Sequence, residues 1–193
     1  MTTFGQLRTQ VKLEGRVKGT DQLDGFVDDL IREVHDQHTE RQRFDELFEP
    51  DRALTLESAS GVVTLPEDFQ HLSEVRFSTD GSSFRRLDVR GAYHFKRGNY
   101  GYPKFYEKTG SNIRLYPPGD ILDTHSLHID YYKRATLDSS NDIMPVDKLV
   151  PLVRREVISR VHLYYKEQQS ATAYQGLARQ AIGEIQSSTE TGN

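Results

Sequence analysis

The hydrophobic period of the chain changes within residues 50–66, which read PDRALTLESASGVVTLP. Before Pro50, apolar side chains recur every three or four residues, which is typical of helices. Leu54 and Leu56 alternate with polar residues, and the run from Gly61 to Leu65 has the length and β-branched content of a short strand. The helical period returns from Asp147 onward. We therefore expect helices, then short strands, then helices again.

The residues before Pro50 predict two N-terminal helices, separated by Gly15 and Gly19. Thr20 or Asp21 would cap the second helix, because a side-chain oxygen at that position accepts a free backbone N–H. The apolar side chains that define the two helical faces are Phe4, Leu7 and Val11, followed by Leu23, Phe26, Val27, Leu30, Ile31 and Val34.

The central region predicts antiparallel hairpins. One hairpin is expected from Glu74 to Val89, and its turn at Asp80-Gly81 would supply the positive φ that a tight turn needs. A short helix is expected from Arg90 to Lys96, a second hairpin from Lys104 to Tyr116, and a last strand from Ser126 to Arg134. Three glycines are expected to serve turns and not to bind a ligand: Gly61, Gly81 and Gly101.

The C-terminal region predicts two helices that are separated near the polar residues Lys166 to Ser170. Asp147 is the expected N-cap of the first, and Pro151 falls in its first turns, where a missing N–H does little harm. The predicted architecture is α+β, with the terminal helices packed as a bundle and a small antiparallel β region inserted between them. We expect one domain with N-terminal helices in residues 1–49, strands in 50–135, C-terminal helices in 146–187 and a flexible tail in 188–193.

Composition excludes several classes of function. Of the 193 residues, 35% are apolar, 28% are charged and none is cysteine, which excludes disulfides, thiolate metal sites and a cysteine nucleophile. A formal charge of -4 argues against a protein that coats nucleic acid through bulk electrostatics. No apolar run approaches the roughly 20 residues needed to cross a bilayer. The N-terminal residues are too polar for a signal peptide, so we expect no membrane partner.

Motifs for catalysis and metal binding are missing from the sequence. It has no Gly-x-Ser-x-Gly, no Gly-x-x-x-x-Gly-Lys-Ser/Thr and no His-Glu-x-x-His motif. His35 and His38 could share one helical face, but no third ligand is evident near them. His125 and His128 are three apart in a predicted strand and would point to opposite faces. We expect no catalytic residue, no metal and no cofactor.

The segment from Tyr93 to Tyr106 mixes basic and aromatic residues. Such a mixture could bind a single strand of nucleic acid by stacking and charge neutralisation, so a nucleic-acid-binding module is one alternative function. The favoured interpretation is that the rings pack a small sheet while Lys96, Arg97 and Lys104 face water or a partner, because the chain as a whole is acidic.

Several short motifs follow one another between residues 50 and 185. They are Leu54-Thr55-Leu56, a Leu-Pro-Glu-Asp-Phe step within 61–69, Gly-Tyr-Pro-Lys-Phe-Tyr at 101–106, a Pro-Pro turn within 113–118 and a Tyr-Tyr strand within 129–134. In this order they resemble the head-to-tail adaptor (connector, or head-completion) proteins of tailed bacteriophages. Related proteins often carry a Trp before the first strand. This chain has no Trp, and Phe44 or Phe48 would take its packing role.

The resemblance implies a structural virion protein that occupies the head–tail junction and is assembled in the host cytoplasm. It implies a homo-oligomeric, twelve-fold ring that contacts the portal protein and a tail or nozzle protein. Packaged DNA would pass through the channel without sequence specificity. Mild acidity is compatible with that passage, because a basic lumen would hold the phosphates. Another phage neck or tail-completion protein is the alternative within the same class.

The last predicted helix is the candidate contact with the portal or with adjacent subunits. Its apolar side is larger than an isolated terminal helix needs, and Gly176 and Gly183 weaken the helix by about 1 kcal/mol each relative to alanine. The alternative is that the helix packs only on its own N-terminal helices. The candidate interface residues are Tyr174, Leu177, Ala181, Ile182 and Ile185.

Overall fold

The structure, a computed structural model, describes residues 1–17, 21–56, 61–89, 101–118, 124–137 and 142–190. These residues form four α-helices, two short 3-10 helices and eight strands in two small sheets, so the chain is α+β. They divide into two compact units. The first, called the helical unit below, comprises Met1–Glu46 and Ala135–Asn193, and the second, the β unit, comprises Leu47–Arg134.

In the helical unit, the first helix begins with a reciprocal cap. The Thr3 hydroxyl accepts from the backbone N–H of Gln6 (3.2 Å), and the Gln6 side chain accepts from the backbone N–H of Thr3 (3.0 Å). Arg8 then pairs with Asp28 of the second helix. The four helices are α1 (Phe4–Glu14), α2 (Asp21–Arg41), α3 (Val150–Tyr164) and α4 (Gln168–Glu190).

The central element of the helical unit is α3, which packs against each of the other three helices. The apolar period of the sequence predicts that one side of this helix is buried, and that Ile158, Ser159 and His162 lie outside that side. The structure buries the predicted side except for Tyr164, which is 59% exposed, and it buries Ile158, Ser159 and His162 as well. The predicted side consists of Leu149, Leu152, Val153, Val157, Val161 and Tyr164. The core of this unit is mainly aliphatic, and its fully buried members include Leu7, Val11, Val27, Ile31, Val34, Leu152, Val153 and Val157.

Two details of the helix ends differ from expectation. Asp147 is not an N-cap: it is the first residue of a 3-10 helix (Asp147–Leu149), and Leu149 precedes α3 without a side-chain cap. Pro151 does lie in the first turn of α3, as predicted. Helix α4 continues to Glu190, into the segment expected to be a flexible tail. Gly19 and Thr20 lie outside the described residues.

In the β unit, two four-stranded sheets enclose one core. Their strand orders are β1-β8-β3-β4 and β2-β7-β6-β5. The core side chains come from both sheets and include Val75, Phe77, Ile113, Leu115 and Ile129. The strands are β1 (Phe48–Leu54), β2 (Val62–Thr64), β3 (Phe69–Ser78), β4 (Arg85–Arg86), β5 (Asp88–Val89), β6 (Phe105–Thr109), β7 (Asn112–Tyr116) and β8 (Ser126–Lys133).

The β6–β7 hairpin and the last strand β8 confirm two predictions, whereas three others need correction. β1 starts at Phe48, before the expected boundary at Pro50. The hairpin expected from Glu74 to Val89 is limited to β3 and β4, after which β5 joins the other sheet. Since β5 runs parallel to β6, the region is not wholly antiparallel. The helix expected from Arg90 to Lys96 lies outside the described residues.

The turn glycines have the backbone conformations that their predicted role in turns requires. Gly61, Gly81 and Gly101 have φ angles of +61°, +73° and +121°, a region that side chains with a Cβ rarely adopt. At Gly61 space is also limiting, because an added Cβ would lie 3.0 Å from the Cβ of Pro118. These positions are set by backbone geometry.

Candidate assembly surfaces

Exposed apolar side chains are concentrated on the helical unit. Among the described residues, nine large apolar side chains are exposed, and seven of them belong to this unit. Exposed apolar groups that lie together on a surface often mark a contact with another protein. The helical unit is therefore the stronger candidate for an assembly surface.

Four of these side chains lie where α1 and α3 end, and we call them the α1–α3 patch: Leu13, Leu163, Tyr164 and Tyr165. Gly15 brings the two ends together, since a Cβ there would lie 3.3 Å from Val161. The Tyr164 ring packs on the Phe26 ring of α2 (5.0 Å between centroids) and on the Tyr165 ring (5.3 Å).

Sequence reasoning missed this patch because it assigned Tyr164 to the buried side of α3. The helix ends at Tyr164, and Lys166 has a positive φ of 61°, so the chain turns here. A triplet of large apolar residues directly before the polar stretch from Lys166 was the available indication. Leu13 stands 75% exposed and Leu163 47% exposed at the same end of the unit.

Some of the predicted interface residues on α4 are buried in the structure, and others are accessible. Ala181 and Ile185 are buried, and α4 packs against α3. Leu177 is 42% exposed, while Tyr174 and Ile182 are part-exposed. Tyr174 stacks on His162 of α3 at 5.5 Å between ring centroids. Leu177, Tyr174 and Ile182 are therefore the members of the set that a partner could reach directly.

The histidines of α2 contribute to the packing and ion pairs of the helical unit. His38 Nε2 lies 2.9 Å from the Glu156 carboxylate of α3, and Arg160 binds both Glu156 and Glu33 at 2.8 Å. His35 is fully buried, and burial lowers the pKa of its imidazole despite the neighbouring Asp36. His35 and His38 thus have separate surroundings.

The histidines of the β unit also have separate partners. His125 is buried against the rings of Phe77 and Tyr102, whereas His128 Nδ1 lies 2.7 Å from the Asp51 carboxylate. The hydrogen bond from His128 lowers the pKa of Asp51, and nearby Arg76 lowers it further. Within the described ranges, no three His, Asp or Glu side chains lie together as a metal site would require.

The aromatic and basic segment from Tyr93 to Tyr106 is described only from residue 101 onward. Tyr106 is buried in the core between the sheets, whereas Tyr102 is 49% exposed and Lys104 is exposed. Arg85 Nη2 donates to the carbonyl oxygen of Pro103 at 2.8 Å, and its guanidinium lies 5.9 Å from the Tyr102 ring centre. The described part of the segment thus contributes to the sheet, with basic groups at its surface.

A family model described as SU10 adaptor protein matches residues 2–193. The chain belongs to this family. The match includes both the helical unit and the β unit, which excludes a chance resemblance confined to a few hairpin motifs. No curated protein matches the chain significantly.

Membership in this family shows that the protein is a structural component of a bacteriophage virion. It also confirms the resemblance to head-to-tail adaptors. None of the adaptor's described helices is long and apolar enough to span a membrane.

Proposed function

We propose that the adaptor forms a homo-oligomeric ring that joins the portal of the phage head to the tail or nozzle and lets packaged DNA pass. A twelve-fold ring is the expected assembly, completed in the host cytoplasm. The four helices would pack as a bundle and act with the β unit as one adaptor domain. The role is non-enzymatic and needs no metal or other cofactor, so a chelator should leave folding unchanged.

The observation that carries this proposal is the family match together with the exposed apolar side chains of the helical unit. An obligate ring subunit must cover such side chains when it assembles, because burying them is the main favourable contribution to association. We assign the α1–α3 patch and the accessible side of α4 to contacts with the portal or with neighbouring subunits. The β unit would then face the tail.

All five predicted interface residues of α4 keep a role in this proposal, but the roles differ. Leu177, Tyr174 and Ile182 would touch the partner, whereas Ala181 and Ile185 would hold α4 on α3 so that this face is presented. Gly176 and Gly183 have no neighbour within 4 Å of an added Cβ, so the backbone of α4 is open to close approach by another chain.

Replacing part of the α1–α3 patch tests the proposal. The double variant Leu163→Ser/Tyr165→Ser should remain folded, with only a small loss of thermal stability, because both side chains are largely exposed. It should bind purified heads that lack the adaptor at least about tenfold more weakly, since two apolar side chains no longer leave water. The matched control is Val89→Ser, which removes an exposed apolar side chain from the β unit. Equal docking of both variants would contradict the assignment.

Truncation after Gln169 tests α4 separately. If α4 is the anchor, the shortened chain stays folded by circular dichroism and no longer joins the heads. A truncated chain that docks with normal affinity would refute the anchor role. A chain that unfolds would show that α4 serves chiefly to complete the packing of α3.

A further inference from the structure

The charge of the adaptor is unequally distributed between its two units. The helical unit holds thirteen Lys and Arg against seventeen Asp and Glu, whereas the β unit holds twelve of each. The net charge of -4 therefore resides on the helical unit, and the β unit is neutral. Within the β unit, residues 89–106 contain four basic residues and no carboxylate. A local excess of positive charge is thus present in an acidic protein.

The described basic residues of this region lie on β4 and directly before β6, where the chain passes from the first sheet to the second. β5 pairs with β6 so that Asp88 lies opposite Phe105, and the Asp88 N–H donates to the carbonyl oxygen of Lys104 at 3.1 Å. Arg85 reaches the same segment through its 2.8 Å bond to the Pro103 oxygen. We call Arg85, Arg86, Tyr102 and Lys104 the basic corner.

The cations of the basic corner are available to a ligand. Arg85, Arg86 and Lys104 are exposed, and within the described part of the chain none of them forms a salt bridge. Arg85 is oriented by its position over the rings of Phe77 (5.8 Å) and Tyr102 (5.9 Å). Asp88 lies in the same segment, and Arg76, the strand partner of Arg86, is paired with Asp51 and Asp130.

We propose that the basic corner binds the phosphodiester backbone of duplex DNA without sequence specificity. Exposed Arg and Lys side chains, with a Tyr hydroxyl beside them, are the groups that contact DNA phosphates. Tyr102 and Val89 are the exposed large apolar side chains among the described residues of the β unit, too few for the apolar centre of a protein interface. These observations favour DNA over an acidic protein surface.

The contact is weak in one subunit. Two or three neutralised phosphates give a slope of about -2 to -3 in a plot of log affinity against log salt concentration. Such a contact is weak at physiological salt, so DNA bound by it can still slide. Only the biological setting of this DNA contact rests on the proposed adaptor function, because the binding itself can be measured on the free protein.

Charge reversal on the full-length chain tests the proposal. Binding of a fluorescent 20-base-pair duplex would be followed by anisotropy from about 20 to 150 mM salt, the range in which phosphate contacts weaken most visibly. We expect Arg86→Glu/Lys104→Glu to weaken binding about tenfold or more at the lowest salt and to lower the slope by about 2. The control, Lys166→Glu/Arg179→Glu, changes the net charge equally on the helical unit and should weaken binding less than about threefold.

Three results would overturn the proposal: no binding by the wild type at the lowest salt, equal weakening by the control, or tighter binding of polyglutamate than of duplex DNA at equal charge. The last result would identify an acidic protein surface as the ligand. Thermal melting would show that both variants are folded. The corner variant should still join purified heads, so loss of DNA binding and loss of the adaptor function are separate outcomes.

Discussion

The helical unit and the β unit obtain their conformations in different ways. In the helical unit, stripes of aliphatic side chains on α1, α2 and α4 meet α3, and the glycines of α4 have open space around them. In the β unit, glycines with positive φ close the turns, and Gly61 packs directly on Pro118. The same substitution should therefore act differently in the two units. In the helical unit it acts through side-chain burial, and in the β unit through backbone geometry.

The two units also differ at their surfaces. The helical unit carries the net negative charge and most of the exposed apolar side chains, whereas the β unit is neutral and carries the basic corner. Apolar surfaces suit permanent contacts between proteins, and a small group of exposed cations suits a weak, salt-sensitive contact. We therefore assign permanent assembly to the helical unit and the transient contact with DNA to the β unit.

The largest expected effect comes from the core of the β unit. Phe77 is fully buried between the two sheets, so Phe77→Ala should lower the free energy of unfolding by about 3–5 kcal/mol. Urea denaturation followed by near-ultraviolet circular dichroism would measure this loss. The control is Phe84→Ala, because Phe84 is only part-buried and its loss should cost less. Equal losses would show that the core between the two sheets is not the main source of stability of the β unit.

A pair of identical substitutions tests the comparison directly. Gly61→Ala should lower the free energy of unfolding by about 1–3 kcal/mol, since φ is +61° and the new Cβ meets Pro118. Gly176→Ala should raise it by up to about 1 kcal/mol, because α4 gains helix propensity and nothing lies within 4 Å. Both values follow from thermal and urea melts. The same sign for both substitutions would break the distinction between the units.

Acidification should affect the helical unit first. Burial lowers the pKa of His35 below its ordinary value of 6.5, so the unfolded chain takes up a proton before the folded chain does. Stability should fall as the pH drops from about 6.5 through the lower folded-state pKa, and His35→Gln should remove this step. Urea midpoints between pH 7.5 and 5 would show it. A step that persists in the variant belongs to another group.

Two carboxylates of the β unit should respond at lower pH. Hydrogen bonds from the Ser83 and Ser82 backbones hold the pKa of Asp80 below its ordinary value of 3.8, and the pKa of Asp51 is lowered by His128. For these carboxylates, stability is present above pH 3.8 and is lost as the pH falls through the folded-state pKa. Loss of the β-unit signal already near pH 6 would contradict this order.

The smallest expected effect is at the pair between Arg8 and Asp28. The two side chains lie 3.0 Å apart and are 32% and 17% exposed, so Arg8→Ala should cost less than about 1 kcal/mol. High salt should reduce the difference between variant and wild type, because part of the interaction is screened. A salt-independent loss of several kcal/mol would mean that α1 depends on this pair and not on its apolar face.

Local patterns were sufficient to predict much of the fold. The apolar periods of α1 to α4, the β6–β7 hairpin, strand β8 and the positive φ of Gly61 and Gly81 depend on neighbouring residues in the chain. The errors came where distant residues decide. β5 leaves its expected hairpin to pair with β6, and Tyr164 is 59% exposed although it continues the apolar period of α3. Neither arrangement has a local cause that a periodic pattern could record.

The sequence by itself determined the α+β order of elements, the lack of cysteine chemistry, the net acidity and the resemblance to adaptors, because each of these is a property of composition or of short-range spacing. Only the tertiary structure decided which of the α4 candidates are accessible, which apolar side chains form the α1–α3 patch and where the basic corner lies. Exposure and charge clustering depend on which elements pack together. Whether a side chain is buried or remains accessible to a partner depends largely on residues that lie far from it in the chain.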